Sequence, residues 1–207
     1  NTLIAQKAIE AAAEQAEFER QRAQAAASGE AAPKRAKRKN PMQSRNFKAA
    51  VPGALVLCPT RELAHQVAQD AIELVKHCKH LRVANVVGGM PYQLQIAKLQ
   101  NADLVVATPG RLLDLQRSLQ IKLDKVQFLV VDEADRMLDL GFADDLEEVH
   151  QMTAQRKQTM MFSATFAPRI QQLAMRVMHD GGANVQKITI ATPQQGHDNI
   201  QQKLYWA

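Results

Sequence analysis

From residue 54 onward, short apolar runs alternate with longer segments whose apolar residues recur at helical spacing. The short runs have the length and β-branched content of strands, and they lack the polar alternation of a sheet with one solvated face. They are therefore typical of strands buried on both faces. The predicted strands lie at 54–58, 82–87, 103–107, 126–131, 158–163 and 185–191.

Helices are predicted between these strands. The first has an apolar stripe through Leu63, Val67, Ala71, Leu74 and Cys78. Pro91 stands at the favoured first position of the second helix. Strands that alternate with helices predict an α/β fold, in which a parallel sheet is covered by helices on both faces. The other helices are predicted at 111–117, at 135–140 and over Ile170, Leu173, Ala174, Val177 and Met178.

The beginning of the chain differs from this alternation. Residues 2–27 are rich in Ala, Glu and Gln and contain neither Gly nor Pro, which predicts a helix that ends at Ser28-Gly29. Residues 33–53 are polar, basic and interrupted by prolines, so we predict a partly disordered loop there.

The net charge of +5 originates in one segment, because residues 31–50 carry seven basic side chains and no acid. Such a run is a solvated linker, an arm that contacts nucleic acid or, in a eukaryote, a nuclear-import signal at 34–39. No apolar run approaches the roughly 20 residues that span a bilayer. We therefore expect no membrane partner and a cytoplasmic protein, or a nuclear one if the run is an import signal.

Five polar clusters follow five of the predicted strands. In a parallel sheet, the segments that follow the strands lie together at the carboxyl edge, where open α/β sheets bind ligands. We therefore expect the five clusters to be neighbours. They are PTRE (59–62), GGM (88–90), TPGR (108–111), DEAD (132–135) and SAT (163–165).

The DEAD cluster is the strongest candidate for chemistry. A carboxylate at the end of a buried strand is costly unless a cation compensates it, and Mg²⁺ prefers oxygen ligands and keeps several waters. Asp132 could hold such an ion through water, and Glu133 could orient or deprotonate a water that attacks a phosphoryl group. Asp135 is better placed to accept hydrogen bonds from a neighbouring loop. The alternative is an ordinary helix N-terminus, which favours acids.

The remaining clusters suit hydrogen bonding and contacts with phosphate. Ser163 and Thr165 could donate to Asp135, although S-x-T alone is a common turn. Thr60 and Thr108 can cap the helices that follow them, whose free N–H groups suit phosphate. Arg61 and Arg111 add positive charge, and Gly88-Gly89 allows close approach of a backbone. Contacts of this kind hold a sugar–phosphate chain without reading bases, but plain capping and turn geometry would give the same residues.

In this order and rough spacing, PTRELA (59–64), GG (88–89), TPGR, DEAD and SAT resemble the first RecA-like domain of a DEAD-box RNA helicase. The resemblance covers about residues 54–191. It implies a RecA-like parallel sheet with helices on both faces, present here as a single incomplete domain. It also implies ATP and Mg²⁺ as cofactors, RNA held by its backbone without regard to sequence, and a second RecA-like domain of the same parent chain as a partner.

The resemblance implies roles for individual residues. Asp132 and Glu133 would be catalytic, with Asp132 holding Mg²⁺ through water, and Ser163 and Thr165 would couple nucleotide state to strand separation through Asp135. The parent protein would clamp RNA on binding ATP and open a duplex locally. The residues expected along the RNA are Thr60, Arg61, Glu62, Gly89, Thr108, Gly110 and Arg111.

The chain also departs from the family. None of its nine glycines precedes a lysine, so no G-x-x-x-x-G-K-[S/T] phosphate loop is present. We expect that loop upstream in a longer protein, and no meaningful ATPase activity from the 207 residues alone. We interpret 1–53 as a helical and basic insertion or linker, 54–192 as the RecA-like domain, and 193–207 as the start of an interdomain linker.

Two other interpretations remain. One is a catalytically inactive helicase-like module that binds RNA or a protein. The other is a G-protein-like or different nucleotide-binding α/β domain, in which PTRELA and TPGR would have no role.

Overall fold

The protein is described by a computed structural model that covers residues 2–29, 31, 33–34, 48–78, 80–178 and 182–190. Five short strands form one parallel sheet in the order β2-β3-β1-β4-β5. This sheet confirms the α/β fold predicted from the alternating pattern. The strands are β1 (Ala54–Leu57), β2 (Val83–Val86), β3 (Leu104–Ala107), β4 (Phe128–Val131) and β5 (Gln158–Met161).

The helices follow the predicted alternation with three differences. Pro91, predicted at the first helical position, is the N-cap residue, and its helix begins at Tyr92. The helix after β3 begins at Pro109 rather than at residue 111, because Pro109 fits the first turn, where no N–H is needed. An additional helix, α6, was not predicted, since only Leu146 and Val149 are buried along it. The helices are α1 (Thr2–Ser28), α2 (Arg61–Val75), α3 (Tyr92–Leu99), α4 (Pro109–Arg117), α5 (Ala134–Asp139), α6 (Ala143–Met152) and α7 (Pro168–Val177).

The core lies on both faces of the sheet, because successive strand side chains point to opposite sides. On one face, Leu55, Leu57 and Leu129 pack with buried side chains of α4, α6 and α7. On the other face, Val56 and Val106 pack against α2. The central strands β1, β3 and β4 lack polar alternation because both of their faces are covered, whereas the edge strand β5 is partly exposed.

The buried face of α2 differs from the predicted stripe. Ala64 and Ala68 are its buried residues, whereas Leu74 is 82% exposed. The small alanine side chains let the helix lie close to the sheet, so the larger residues sit at the margins of the contact. Cys78 lies beyond the end of the helix.

The predicted strand at 185–191 is wrong over the residues that the structure describes. Residues 185–190 form no strand, and Ile188 and Ile190 are 84% and 89% exposed. β-branched residues fit a sheet well, but a strand also needs a neighbour that satisfies its backbone. No described strand pairs with this segment. Residue 191 lies outside the described residues, as does the predicted linker at 193–207.

The predicted N-terminal helix is confirmed as α1, whose first turns contact the amino edge of the sheet. Lys7 Nζ lies 3.1 Å from Asp103 Oδ1, just before β3. A Cβ at Gly53 would come within 2.8 Å of Leu3 Cδ1, so the glycine before β1 permits this contact. The helix therefore lies at the opposite edge from the five polar clusters. Across the described ranges, none of the helices could cross a membrane.

The buried guanidinium of Arg156 links the C-terminal ends of α6 and α7 to β5. Arg156 is 3% exposed. Its Nη1 donates to the carbonyls of His150 and Thr153 at 3.2 Å, its Nη2 to that of Val177 at 2.9 Å, and its Nε to Thr159 Oγ1 at 2.6 Å. These carbonyls stand at the C-terminal ends of α6 and α7, where a cation is favourable.

We predict that Arg156→Met lowers the free energy of unfolding by about 2 to 4 kcal/mol, because it leaves buried carbonyls without donors. Arg176→Met is the matched control, since Arg176 is 64% exposed and lies 3.7 Å from Glu147. That control should change stability by less than about 1 kcal/mol. Denaturant unfolding of both variants measures the difference, and equal losses would contradict the capping role.

Candidate functional site

The register of the sheet brings the five polar clusters to one edge. The last residues of the strands pair in a single row, with Val86 opposite Ala107, Ala107 opposite Leu57, Leu57 opposite Val131 and Val131 opposite Met161. The segments that follow β1, β3, β4 and β5 then each donate one more N–H to a neighbouring strand end. These bonds run from Thr108 to Val86 (3.1 Å), Cys58 to Ala107 (2.9 Å), Asp132 to Leu57 (3.0 Å) and Phe162 to Val131 (2.8 Å).

The DEAD cluster makes a sharp turn between β4 and α5. Glu133 has φ 48° and ψ 53°, a left-handed conformation that costs energy for a residue with a side chain. Two hydrogen bonds hold the turn: Glu133 N donates to Asp132 Oδ1 at 3.0 Å, and Ala134 N donates to Phe162 O at 2.9 Å. The turn is thus attached to the segment that begins the SAT cluster.

The two carboxylates of this turn lie beside buried groups. Glu133 Oε2 is buried and makes no hydrogen bond to any residue that the structure describes, although Arg136 Nη1 is 3.5 Å away. Burial, together with the charges of Asp132 and Glu133, raises the pKa of the Cys58 thiol to about 12. Cys58 directly precedes the PTRE cluster, so the charges of the two DEAD carboxylates reach the start of that cluster.

Asp132 and Glu133 face a groove of about 540 Å³, whose other walls are residues 161–166, Ala174, Met178 and residues 185–190. This volume suits a nucleotide-sized ligand. Among the described residues, no group of three or more His, Cys, Asp or Glu could hold a metal. The carboxylates of Asp132 and Glu133 fit Mg²⁺ by their chemistry, because this ion keeps several waters and takes one or two carboxylates together with phosphate oxygens.

The SAT cluster contacts the last acid of DEAD. Thr165 Oγ1 donates to Asp135 Oδ2 at 3.3 Å, and Ser163 Oγ donates to the Thr165 carbonyl at 2.7 Å. Desolvation opposes ionisation of Asp135, but the N–H groups of Arg136 and Asp135 and the hydroxyls of Thr165 and Ser163 outweigh it and lower the pKa of that carboxyl. The predicted contact is confirmed, while a coupling role stays a prediction.

The PTRE and GG clusters adjoin each other. Thr60 caps α2 as predicted, because its Oγ1 accepts from Leu63 N at 3.3 Å. Gly89 has φ +80°, and a Cβ there would collide with Arg61 Nη1. The side chains of Arg61 and Glu62 are 60% and 78% exposed and lie 3.9 Å apart. They are therefore accessible to a ligand.

TPGR begins α4 but departs from the prediction at Thr108. Thr108 stands at the N-cap, yet its side chain makes no capping hydrogen bond within the described structure. No described atom lies within 4 Å of a Cβ built on Gly110, so no close approach requires this glycine. Arg111, by contrast, is held: its Nη1 donates to Gln95 Oε1 at 3.1 Å, and its guanidinium lies 5.6 Å from the Tyr92 ring centroid.

Gln95 was missed by the sequence analysis. It is fully buried in α3, and its Nε2 donates to the carbonyl of Val87, just before the two glycines. The signal was present, since Gln95 occupies the same helical stripe as Tyr92, Ile96 and Leu99. A polar residue in an apolar stripe needs a buried partner.

The sheet order and the ordered edge clusters define a RecA-like helicase domain. The family model described as DEAD/DEAH box helicase matches residues 25–173, and the chain belongs to this family.

Relatives and solved structures agree with this assignment. The chain is 39% identical over 159 residues to the ATP-dependent RNA helicase RhlB of Pseudomonas syringae, which covers 74% of this chain and 38% of that protein. It is 44% identical over 142 residues to the ATP-dependent RNA helicase DeaD of Mycobacterium tuberculosis, covering 68% of this chain and 25% of the relative. A crystal structure of a hypothetical ATP-dependent RNA helicase from Sulfolobus tokodaii matches with a TM-score of 0.60 and 42% identity, over 62% of this chain and 39% of the other. The chain thus spans less than half the length of these proteins.

We predict that Thr165→Ala raises the pKa of Asp135 toward its ordinary value, because one donor to the carboxylate is lost. The lowered pKa stabilises the folded state above the unfolded-state pKa, and this contribution disappears as the pH falls through the folded-state pKa. The variant should therefore lose stability at neutral pH and lose less at strongly acidic pH. Carboxyl ¹³C shifts followed against pH measure the pKa, and an unchanged midpoint would rule out the Thr165 contact.

Proposed function

We propose that the chain is the first RecA-like domain of an ATP-dependent RNA helicase, which couples ATP binding and hydrolysis to RNA clamping and local unwinding. The observation that supports this most directly is the Thr165–Asp135 hydrogen bond, because it joins the acidic turn that faces the groove to a segment that leads into α7. A change in the position of the acidic turn can thereby be transmitted to the segment that leads into α7.

The hydrolytic role is assigned to the DEAD turn. Mg²⁺, when bound with ATP, would neutralise charge on the phosphates and polarise them. Asp132 would hold the ion through water, and Glu133 would orient or deprotonate the attacking water. The position of Glu133 supports this role, because the residue lines the groove and its Oε2 makes no hydrogen bond to any described residue, with Arg136 Nη1 3.5 Å away. Its left-handed backbone supports it too, since strain of this kind clusters at functional sites.

The RNA-binding role is assigned to the PTRE, GG and TPGR clusters at the same edge of the sheet. Arg61 and Arg111 would contact phosphates, and the N-termini of α2 and α4 would offer free N–H groups. Thr60, Glu62, Gly89, Thr108 and Gly110 complete the proposed contact surface. The N-cap hydroxyl of Thr108 makes no capping bond within the described structure, which leaves it available to a ligand.

The wider organisation is proposed on the same basis. Residues 54–192 form the RecA-like domain, 1–53 an insertion or linker, and 193–207 the start of a connection to a second RecA-like domain of the parent protein. That domain would close over ATP and RNA. The 207 residues alone lack a phosphate loop and would not hydrolyse ATP at a meaningful rate. We place the parent protein in the cytoplasm, or in the nucleus if the basic run at 34–39 is an import signal.

We predict that, in the intact protein that contains this chain, Glu133→Gln retains ATP binding and lowers ATP turnover by about 100-fold or more, as expected for a lost general base. Glu147→Gln is a matched control, because Glu133 and Glu147 are both 42% exposed and each lies within 4 Å of an arginine. Phosphate release and nucleotide binding are measured in parallel. Normal turnover in Glu133→Gln would remove Glu133 from the mechanism, and no turnover even in the unaltered protein would favour a catalytically inactive binding module.

We predict that replacing both Ser163 and Thr165 by Ala impairs duplex unwinding more than ATP hydrolysis. Thr165 Oγ1 donates to Asp135 and Ser163 Oγ to the Thr165 carbonyl, and neither donates to Asp132 or Glu133, so hydrolysis should be affected less. Unwinding of a short RNA duplex and RNA-stimulated ATPase activity are compared in one preparation. Equal losses in the two assays would argue against a coupling role.

A further inference from the structure

The buried amide of Gln95 joins two of the edge clusters. Its side chain is fully buried, a position in which an amide is costly unless its donor and acceptor are both used. Nε2 donates to the Val87 carbonyl, and Oε1 accepts from Arg111 Nη1 at 3.1 Å. Val87 leads directly into Gly88 and Gly89, so the amide connects the GG loop with the TPGR helix.

A second residue of α3 supports the same arginine. The ring of Tyr92 lies under the Arg111 guanidinium at 5.6 Å, and its Oη is 2.5 Å from Ser118 Oγ at the end of α4. Helix α3 therefore holds α4 at both ends and fixes the direction of Arg111. An amide suits position 95, because its Nε2 donates to the Val87 carbonyl while its Oε1 accepts from the Arg111 guanidinium.

The contrast with Arg61 indicates what this arrangement does. The Arg61 side chain is 60% exposed and lies 3.9 Å from Glu62, beyond hydrogen-bonding distance. Arg61 must therefore lose side-chain entropy when it binds an anion, whereas Arg111 has already lost it. The interaction with a neutral amide leaves the positive charge of Arg111 intact for a ligand.

We propose that Gln95 is a positioning residue that orients Arg111 toward the phosphate backbone of bound RNA and couples this orientation to the GG loop. The inference rests on the proposed function, because it takes Arg111 as an RNA contact. It adds a buried residue outside the five edge clusters to the RNA-binding machinery.

The direct test is Gln95→Met in the intact protein that contains this chain, with single-stranded RNA as the probe. Methionine keeps the length of the side chain and removes both hydrogen bonds. The apparent Kd for RNA should rise about fivefold, within the range of coupled neighbouring residues, while kcat at saturating RNA stays unchanged. Gln100→Met is the control, because Gln100 is also buried and its Nε2 makes no hydrogen bond to any described residue.

A double-mutant cycle with Arg111→Ala separates positioning from a general packing effect. In the Arg111→Ala background, Gln95→Met should cause no further loss of RNA affinity. Arg111→Ala itself should reduce the slope of log K against log salt concentration by about 0.7, the value for one phosphate contact on a single strand. Additive losses would overturn the positioning role.

If Gln95→Met fails to fold, Gln95→Glu provides the test. The carboxylate would neutralise Arg111, so RNA affinity and salt slope should fall to those of Arg111→Ala. If the folded Gln95 variant keeps its RNA affinity while Arg111→Ala loses affinity, the positioning role of Gln95 is overturned and the proposed function is not. Unchanged affinity in Arg111→Ala instead contradicts the proposed function at Arg111.

Discussion

The site depends on the register of one parallel sheet. The last residues of five strands stand in a single row, and the segments that follow β1, β3, β4 and β5 are each fastened to a neighbouring strand end by one more backbone hydrogen bond. A slip of one residue in any strand would turn its side chains to the other face and displace its cluster from the edge. The buried aliphatic residues that fix this register are therefore as necessary to the site as the polar residues that line it.

The same edge carries two kinds of contact that differ in rigidity. The acidic turn is strained at Glu133 and attached to the SAT segment through Ala134 N and through Asp135. Arg111 is fixed by Gln95, whereas Arg61 is exposed and loosely placed. Rigid groups of this kind lower the entropic cost of binding, and mobile ones can follow a ligand that changes position. The amino edge, where α1 docks through Lys7 and Asp103, carries none of the five clusters.

Much of this arrangement could be predicted from the sequence, because unbroken apolar runs identify doubly buried strands and parallel strands share one ligand edge. The features that the sequence analysis predicted wrongly or missed depend on contacts between segments of the folded chain. The run at 185–191 has strand propensity, but the described part of it has no neighbour to pair with. Thr108 has the right chemistry for a cap and does not cap, and α6 has too narrow an apolar stripe to be recognised. The apolar stripe around Gln95 signals a buried amide, but its partners, Val87 and Arg111, could not be identified because they are separated from it in sequence.

The most direct test of the account is a crystal structure of the intact protein with Mg²⁺, a non-hydrolysable ATP analogue and single-stranded RNA. The account predicts RNA phosphates within hydrogen-bonding distance of Thr60 and Arg111, and the ion with the triphosphate beside Asp132 and Glu133. RNA bound along the amino edge near Lys7, or a nucleotide remote from the acidic turn, would contradict it.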